Sequence, residues 1–149
     1  MHTDHDIKTL NSLIATTLDS ADGYAEAAKD AHSQSLIALF QARSHERQQV
    51  ASTLQQSVRQ LGGKPEDDGT VLASAHRMFL NLRVSVTSKD NKAVVEEVER
   101  GEDHIKAQFE DAMADADLSI NTKTDINAAY ASVRKGHDQM RDLKNAFHE

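Results

Sequence analysis

The sequence predicts an all-α fold, an antiparallel four-helix bundle made of two helical hairpins joined by a long connection. Apolar residues recur every three to four positions through most of the 149 residues, which is the spacing of one helical face. Proline occurs once and glycine six times, and both residue types interrupt helices. A chain of this length fits a single domain, residues 1–149, with its own core.

The first hairpin is predicted from two apolar stripes separated by a short polar turn. The first helix covers about Asp4–Ala31, and either Asp4 or Asp6 can cap its start by accepting backbone N–H bonds. The second helix covers about Ser35–Leu61, with Ser33 as its candidate cap. Because the turn is short, the two helices should lie side by side and antiparallel.

The connection between the hairpins has about 27 residues and is predicted to contain a helix of its own. Gly62-Gly63 should end the second helix, since glycine readily adopts the left-handed backbone found at helix ends. After a polar loop, a short helix is predicted over about Thr70–Thr87, where Met78, Phe79 and Leu82 could alternatively form a dimer face. Asp90 can cap the helix that follows.

The second hairpin is predicted from a third helix over about Asn91–Asp115 and a last helix from Thr124 or Asp125 to Phe147. Two hairpins joined by one long crossover have the ferritin-like topology, which is the predicted fold class.

Composition excludes several kinds of function. Without cysteine the chain can form no disulfide, thiolate metal site or cysteine nucleophile. The net charge of −7 and the lack of a basic stripe argue against nucleic-acid binding. No apolar run approaches the roughly 20 residues that span a bilayer, and the N-terminus does not resemble a secretory signal. A cytoplasmic protein without membrane or nucleic-acid partners is therefore expected.

Two polar residues fall on stripes that should face the core. Glu102 follows Val98 and precedes Ile105, while His137 lies between Val133 and Met140. Burying an unpaired carboxylate costs roughly several kcal/mol. Glu102 therefore needs a partner or a metal, unless it reaches water at the edge of the stripe. His137 could ligate a metal, donate to Glu102, or be an ordinary core histidine with one hydrogen bond.

The second helix carries Arg43, Glu46 and Arg47, of which at least one must point inward. An inward arginine repels a bound dication and could instead form a forked ion pair with Glu102. We therefore expect an inward polar network of Arg43, Glu46, Arg47, Glu102 and His137.

A metal centre is the alternative interpretation of the same residues. Ferritin-like di-metal proteins use a Glu-x-x-His on each of two helices, and this motif is absent, since residue 49 is glutamine where a histidine would follow Glu46. The remaining candidates are Glu46, Glu102 and His137, with Asp22 or Glu26 completing the set, and iron or manganese as the metal.

Several strings along the chain resemble a bacterial family of uncharacterised four-helix-bundle proteins of the ferritin-like group. They are Gln60-Leu61-Gly62-Gly63-Lys64-Pro65-Glu66-Asp67, His76-Arg77, Val98-Glu99-Arg100-Gly101-Glu102-Asp103 and Gly136-His137-Asp138. These strings occur in the same order as in the family, and together they extend over nearly the whole chain. The resemblance implies a ferritin-like bundle with no established activity. It also implies that a first-helix Glu of the relatives is matched here by Ala21, unless Asp22 substitutes for it.

Three functions remain open from the sequence. The favoured one is a non-catalytic bundle, a structural or interaction protein of stress adaptation that acts through its surface or a homodimer interface. The second is an iron- or manganese-binding protein with oxidase or peroxide-handling activity. The third is a ligand site between helices, whose apolar walls are more simply explained as core filling.

Overall fold

A computed structural model describes residues 2–67 and 91–147, which form α-helices and no β-strand. The all-α prediction is therefore confirmed for the described residues. The predicted short helix over 70–87 and the predicted cap at Asp90 lie outside them. The helices are α1 (His2–Asp30), α2 (Gln34–Gln60), α3 (Asn91–Met113) and α4 (Ile120–Phe147).

Hydrogen bonds between helices give their relative directions. α1 and α3 are antiparallel, because Thr16 bonds Gln108 whereas Tyr24, further along α1, bonds Glu102. α2 and α4 are antiparallel too, because Arg47 bonds the Val133 carbonyl whereas Ser57, further along α2, bonds Asp125. α1 packs most extensively against α2, and α3 against α4. Because α2 and α3 are each antiparallel to α1, they run in the same direction. The end of α2 and the start of α3 therefore lie at opposite ends of the bundle.

The core is divided into two apolar clusters. The first, toward the start of α1, is built from all four helices and centres on residues such as Leu10, Leu54, Phe109 and Ile126. The second, toward the end of α1, contains Tyr24, Ala27, Phe40, Val94, Val95 and Met140 among others. Between them lies a set of polar side chains, here called the polar layer. Tyr24, Arg43, Arg47 and Glu102 in it are buried, and Ser20 and Glu46 are partly buried.

Local signals set the ends of α2. The Ser33 hydroxyl accepts a hydrogen bond from the backbone N–H of Leu36 at 3.4 Å, which confirms it as the cap. Gly62 has φ +83°, the left-handed backbone that glycine tolerates best. The chain then passes close over α1, since a Cβ on Gly63 would lie 2.8 Å from the Ile7 side chain.

Two predicted helix starts were wrong, and Asp6 is involved in both. Asp6 does not cap α1, which already begins at His2, but is buried and accepts hydrogen bonds from the N–H and hydroxyl of Ser119 and from the Thr122 hydroxyl. Ser119 also accepts from the Thr122 N–H. These contacts hold the first turn of α4, which therefore begins at Ile120, about one turn before the predicted start.

Asp6 should make stability depend on pH. Burial acts to raise the pKa of its carboxyl, but hydrogen bonds from Ser119 and Thr122 outweigh burial, so this pKa lies below its ordinary value. A lowered folded-state pKa gives stabilisation that is present above the unfolded pKa of about 3.9 and is lost as pH falls through the folded value. Asp6→Asn should lower the free energy of unfolding at pH 7 by about 1–3 kcal/mol, and by less below about pH 4.

Urea unfolding from pH 3 to pH 7 measures this difference, with Asp4→Asn on the exposed side of the same helix as the matched control. A gap between wild type and Asp6→Asn that stayed constant across this range would show that the Asp6 charge does not contribute.

Within the described residues, none of the helices combines the length and the apolar character needed to cross a membrane.

Candidate functional site

The Arg47 guanidinium lies at the axis of the bundle and contacts the other three helices. Its Nη1 donates to the Ser20 hydroxyl at 2.9 Å, and its Nη2 donates to Glu102 Oε2 at 2.7 Å. Nη2 also lies 3.3 Å from the backbone oxygen of Val133. The side chains of Arg47 and Glu102 are 0% and 1% exposed, so this is a fully desolvated ion pair. The pairing uses one nitrogen of Arg47 and is not the forked geometry predicted from the sequence.

Tyr24 completes the environment of the ion pair. Its hydroxyl donates to Glu102 Oε1 at 2.7 Å, and the Arg47 guanidinium carbon lies 5.7 Å from the centre of its ring, within range of a cation–π interaction. Burial, together with the Glu102 charge, raises the pKa of Tyr24 well above its ordinary value. Burial alone would lower the pKa of Arg47, but Glu102 and Tyr24 reverse this and raise it. Both Glu102 oxygens therefore have donors, while Tyr24 stays neutral and Arg47 stays charged at neutral pH.

Gly136 allows α4 to approach Arg47. A Cβ at this position would lie 2.5 Å from Arg47 Nη2 and 3.5 Å from Glu102 Oε2. Separations below 3.0 Å essentially never occur for real Cβ atoms. The absence of a side chain on Gly136 is thus part of the ion-pair geometry, which explains a glycine in the middle of a helix despite its poor helix propensity.

Arg43 and Glu46 form a second pair, nearer the surface of the polar layer. The Arg43 guanidinium donates to both Glu46 oxygens, with Nη1 at 3.0 Å and Nη2 at 2.7 Å. The Ser132 hydroxyl of α4 also donates to Glu46. The Arg43 side chain is buried and that of Glu46 is partly exposed. Glu46 therefore points to the α2–α4 seam and has its own partners.

His137 lies on the α3–α4 seam. Its Nε2 is 2.6 Å from Asp103 Oδ1, and its Nδ1 is 3.3 Å from Asp138 Oδ1. Glu99, one turn before Asp103 on α3, is buried and lies 3.4 Å from the Lys144 ammonium. Among the described residues, Glu99, Asp103 and His137 form the group whose potential ligand atoms all lie within 4.8 Å of one another.

The residues that the sequence suggested as metal ligands each contact a different partner. Glu102 contacts Arg47, Glu46 contacts Arg43, and His137 contacts Asp103. Asp22 lies on the exposed side of α1. Arg47 and Glu102 are in direct contact, whereas His137 joins acidic residues of α3 that the sequence pattern did not suggest as its partners.

Sequence reasoning missed Ser20 and Tyr24. Apolar spacing along α1 predicts an inward stripe through Ala21, Ala25 and Ala28, whereas the buried face also includes Tyr24 and Ala27. A tyrosine among small residues on a helix is a recognisable signal, because a large ring in an alanine-rich segment must fill space left by its neighbours and its hydroxyl needs a partner.

One sequence-family model matches residues 5–115, and its description reads Domain of unknown function (DUF2383). The match covers α1, α2 and α3, and it ends before α4, so it does not extend to His137. No curated protein matches the chain.

Proposed function

We propose that this protein, which belongs to the family described as Domain of unknown function (DUF2383), is a non-catalytic ferritin-like bundle that serves as a structural or interaction protein. The observation that carries the proposal is the position of the Arg47 guanidinium. It lies at the bundle axis, 2.7 Å from Glu102, where a ferritin-like enzyme would use inward carboxylates and histidines to hold metal.

The charge of the polar layer supports this proposal. Two cations, Arg43 and Arg47, are paired there with two anions, Glu46 and Glu102, so the layer is neutral without a bound ion. A dication placed beside Glu102 would be strongly repelled by Arg47, because the surroundings are dry and screen charge poorly. Both Glu102 oxygens already accept hydrogen bonds, from Tyr24 and from Arg47. These residues do not fit a central di-metal site.

The topology supports the ferritin-like assignment. α2 and α3 run in the same direction, and the end of one lies at the opposite end of the bundle from the start of the other. Such an arrangement requires one long connection between two hairpins, as in the ferritin-like folds. We further propose that the protein works in the cytoplasm and forms a homodimer, which sedimentation-velocity analysis would test by giving a mass near twice 16.4 kDa.

Anaerobic addition of ferrous iron to the metal-free protein, followed by admission of oxygen, tests the absence of a central catalytic site. Iron oxidation should proceed at the rate of the buffer alone, and Glu102→Gln should not change it. Two irons bound per chain with oxidation faster than buffer, both abolished by Glu102→Gln, would contradict the proposal.

A further inference from the structure

We propose that Glu99, Asp103 and His137 form a binding site for one divalent transition-metal ion on the α3–α4 seam. Glu99 and Asp103 are one turn apart on α3 and face His137 of α4, with one potential ligand atom of each within 4.8 Å of the others. The site is independent of the non-catalytic function proposed above, since Glu102 and Arg47 are not members of it.

The contacts of His137 are compatible with a metal ion at Nε2. Both ring nitrogens face carboxylate oxygens, Nε2 that of Asp103 at 2.6 Å and Nδ1 that of Asp138 at 3.3 Å. A neutral imidazole carries one N–H, and a carboxylate is an acceptor only. One of the two contacts would then bring lone pairs together, unless a second ring proton or a metal ion lies between the two atoms. A proton or a metal ion can fill that position, and the metal also uses the second carboxylate, Glu99.

Among the described residues, ion pairs give Glu99 and Asp138 a lysine or arginine partner, whereas Asp103 pairs with His137 alone. Glu99, Asp103 and Asp138 place three carboxylates around one imidazole. The cationic groups in contact with them are Lys144, 3.4 Å from Glu99, and two arginines beside Asp138, Arg141 at 3.4 Å and Arg134 at 3.8 Å. Asp103 contacts His137 on this seam. The Lys144 ammonium stands beside the carboxylate that a metal would bind, and we expect the two to compete for it.

The set of ligands selects the class of metal. One imidazole nitrogen and two carboxylate oxygens suit zinc, manganese or ferrous iron. Ligands about 2.0–2.2 Å from such an ion lie roughly 3–3.5 Å from one another, so Asp103 has to move back from His137 by less than about 1 Å. The Asp103 side chain is 56% exposed and can do so, and it leaves the remaining positions of the metal open to water. Asp138, hydrogen-bonded to Nδ1, would orient the ring in the way carboxylates orient metal-bound histidines.

Titration of the metal-free full-length protein with Zn²⁺ and with Mn²⁺, in competition with a chromophoric chelator, tests the site. We expect one equivalent bound per chain. His137→Gln and Asp103→Asn should each weaken binding at least about tenfold. His104→Gln, an exposed histidine next to Asp103 on the same helix, is the matched control and should leave the affinity unchanged. Lys144→Met should strengthen binding, because it removes the competing ammonium.

The histidine ring signals in a nitrogen–proton NMR spectrum give a second readout, in which Zn²⁺ should shift His137 Nε2 and leave Nδ1–H in place. Binding that His104→Gln weakens as much as His137→Gln, or the absence of saturation at one equivalent, would overturn the proposal. If Glu102→Gln lost the metal while His137→Gln retained it, the proposed site would also be wrong. Metal would then bind at the polar layer, which would contradict the non-catalytic function.

Discussion

Arg47→Met is expected to lower the free energy of unfolding by about 3–5 kcal/mol. The reason is that the substitution leaves Glu102, which is 1% exposed, as an unpaired charge in the core. Glu102→Gln alone should be comparably costly, since it leaves Arg47 without its counter-ion. The total stability of a domain is typically only about 5–15 kcal/mol, so either loss is large. Urea unfolding followed by circular dichroism measures both.

The double variant Arg47→Met, Glu102→Gln distinguishes pairing from simple packing. Both charges are removed together, and the amide oxygen of the introduced glutamine can still accept the hydrogen bond from Tyr24. The free energy of unfolding of the double variant should return to within about 1 kcal/mol of wild type, because a buried ion pair contributes little net stability over neutral groups of similar size. If instead the two single effects simply added, the ion pair would not be the origin of the loss.

Gly136→Ala is expected to destabilise the protein by about 1–3 kcal/mol, although alanine is the better helix former by about 1 kcal/mol. The new methyl group would lie 2.5 Å from Arg47 Nη2. The end of an arginine side chain usually moves aside at little cost, but this one is held by Ser20, Glu102 and the Val133 carbonyl. Thermal and urea unfolding would record the change.

Gly101→Ala provides the matched control for this prediction. Gly101 lies in the middle of α3, and nothing lies within 4 Å of the position of an added Cβ. This substitution should therefore stabilise the protein by about 0.5–1 kcal/mol through helix propensity alone. In an Arg47→Met background, Gly136→Ala should lose most of its penalty. Equal effects of the two glycine substitutions in wild type would show that the Arg47 side chain moves away from the added methyl group on α4 at no cost.

The helices that the sequence predicted well are those whose signals are local. The Ser33 cap and the Gly62 turn depend on backbone geometry within a few residues, and both agree with the structure. The start of α4 was predicted about a turn late because it is fixed by Asp6, more than a hundred residues earlier in the chain. Propensity contains no information about such a partner, which comes close only after the bundle has formed.

The candidate site divides in the same way. Helical periodicity put Glu102 and His137 on inward faces, since an inward face is a property of spacing along one helix. Their partners are set by the rotation and height of neighbouring helices. This rotation and height bring Arg47 against Glu102, whereas His137 meets Asp103, the next residue on α3. A shift of one residue on α3 turns a side chain by about 100°, which separates the bundle axis from the seam.

The sequence by itself determined an all-α chain, the approximate course of its long helices and the presence of charged residues on their apolar faces. These follow from the period of the apolar residues and from caps and turns formed by near neighbours. Only the tertiary structure decided which arginine lies at the axis, that Gly136 makes room for it, and that Glu99, Asp103 and His137 meet on a seam. Contacts between helices depend on angstrom-scale distances that no pattern along one helix contains.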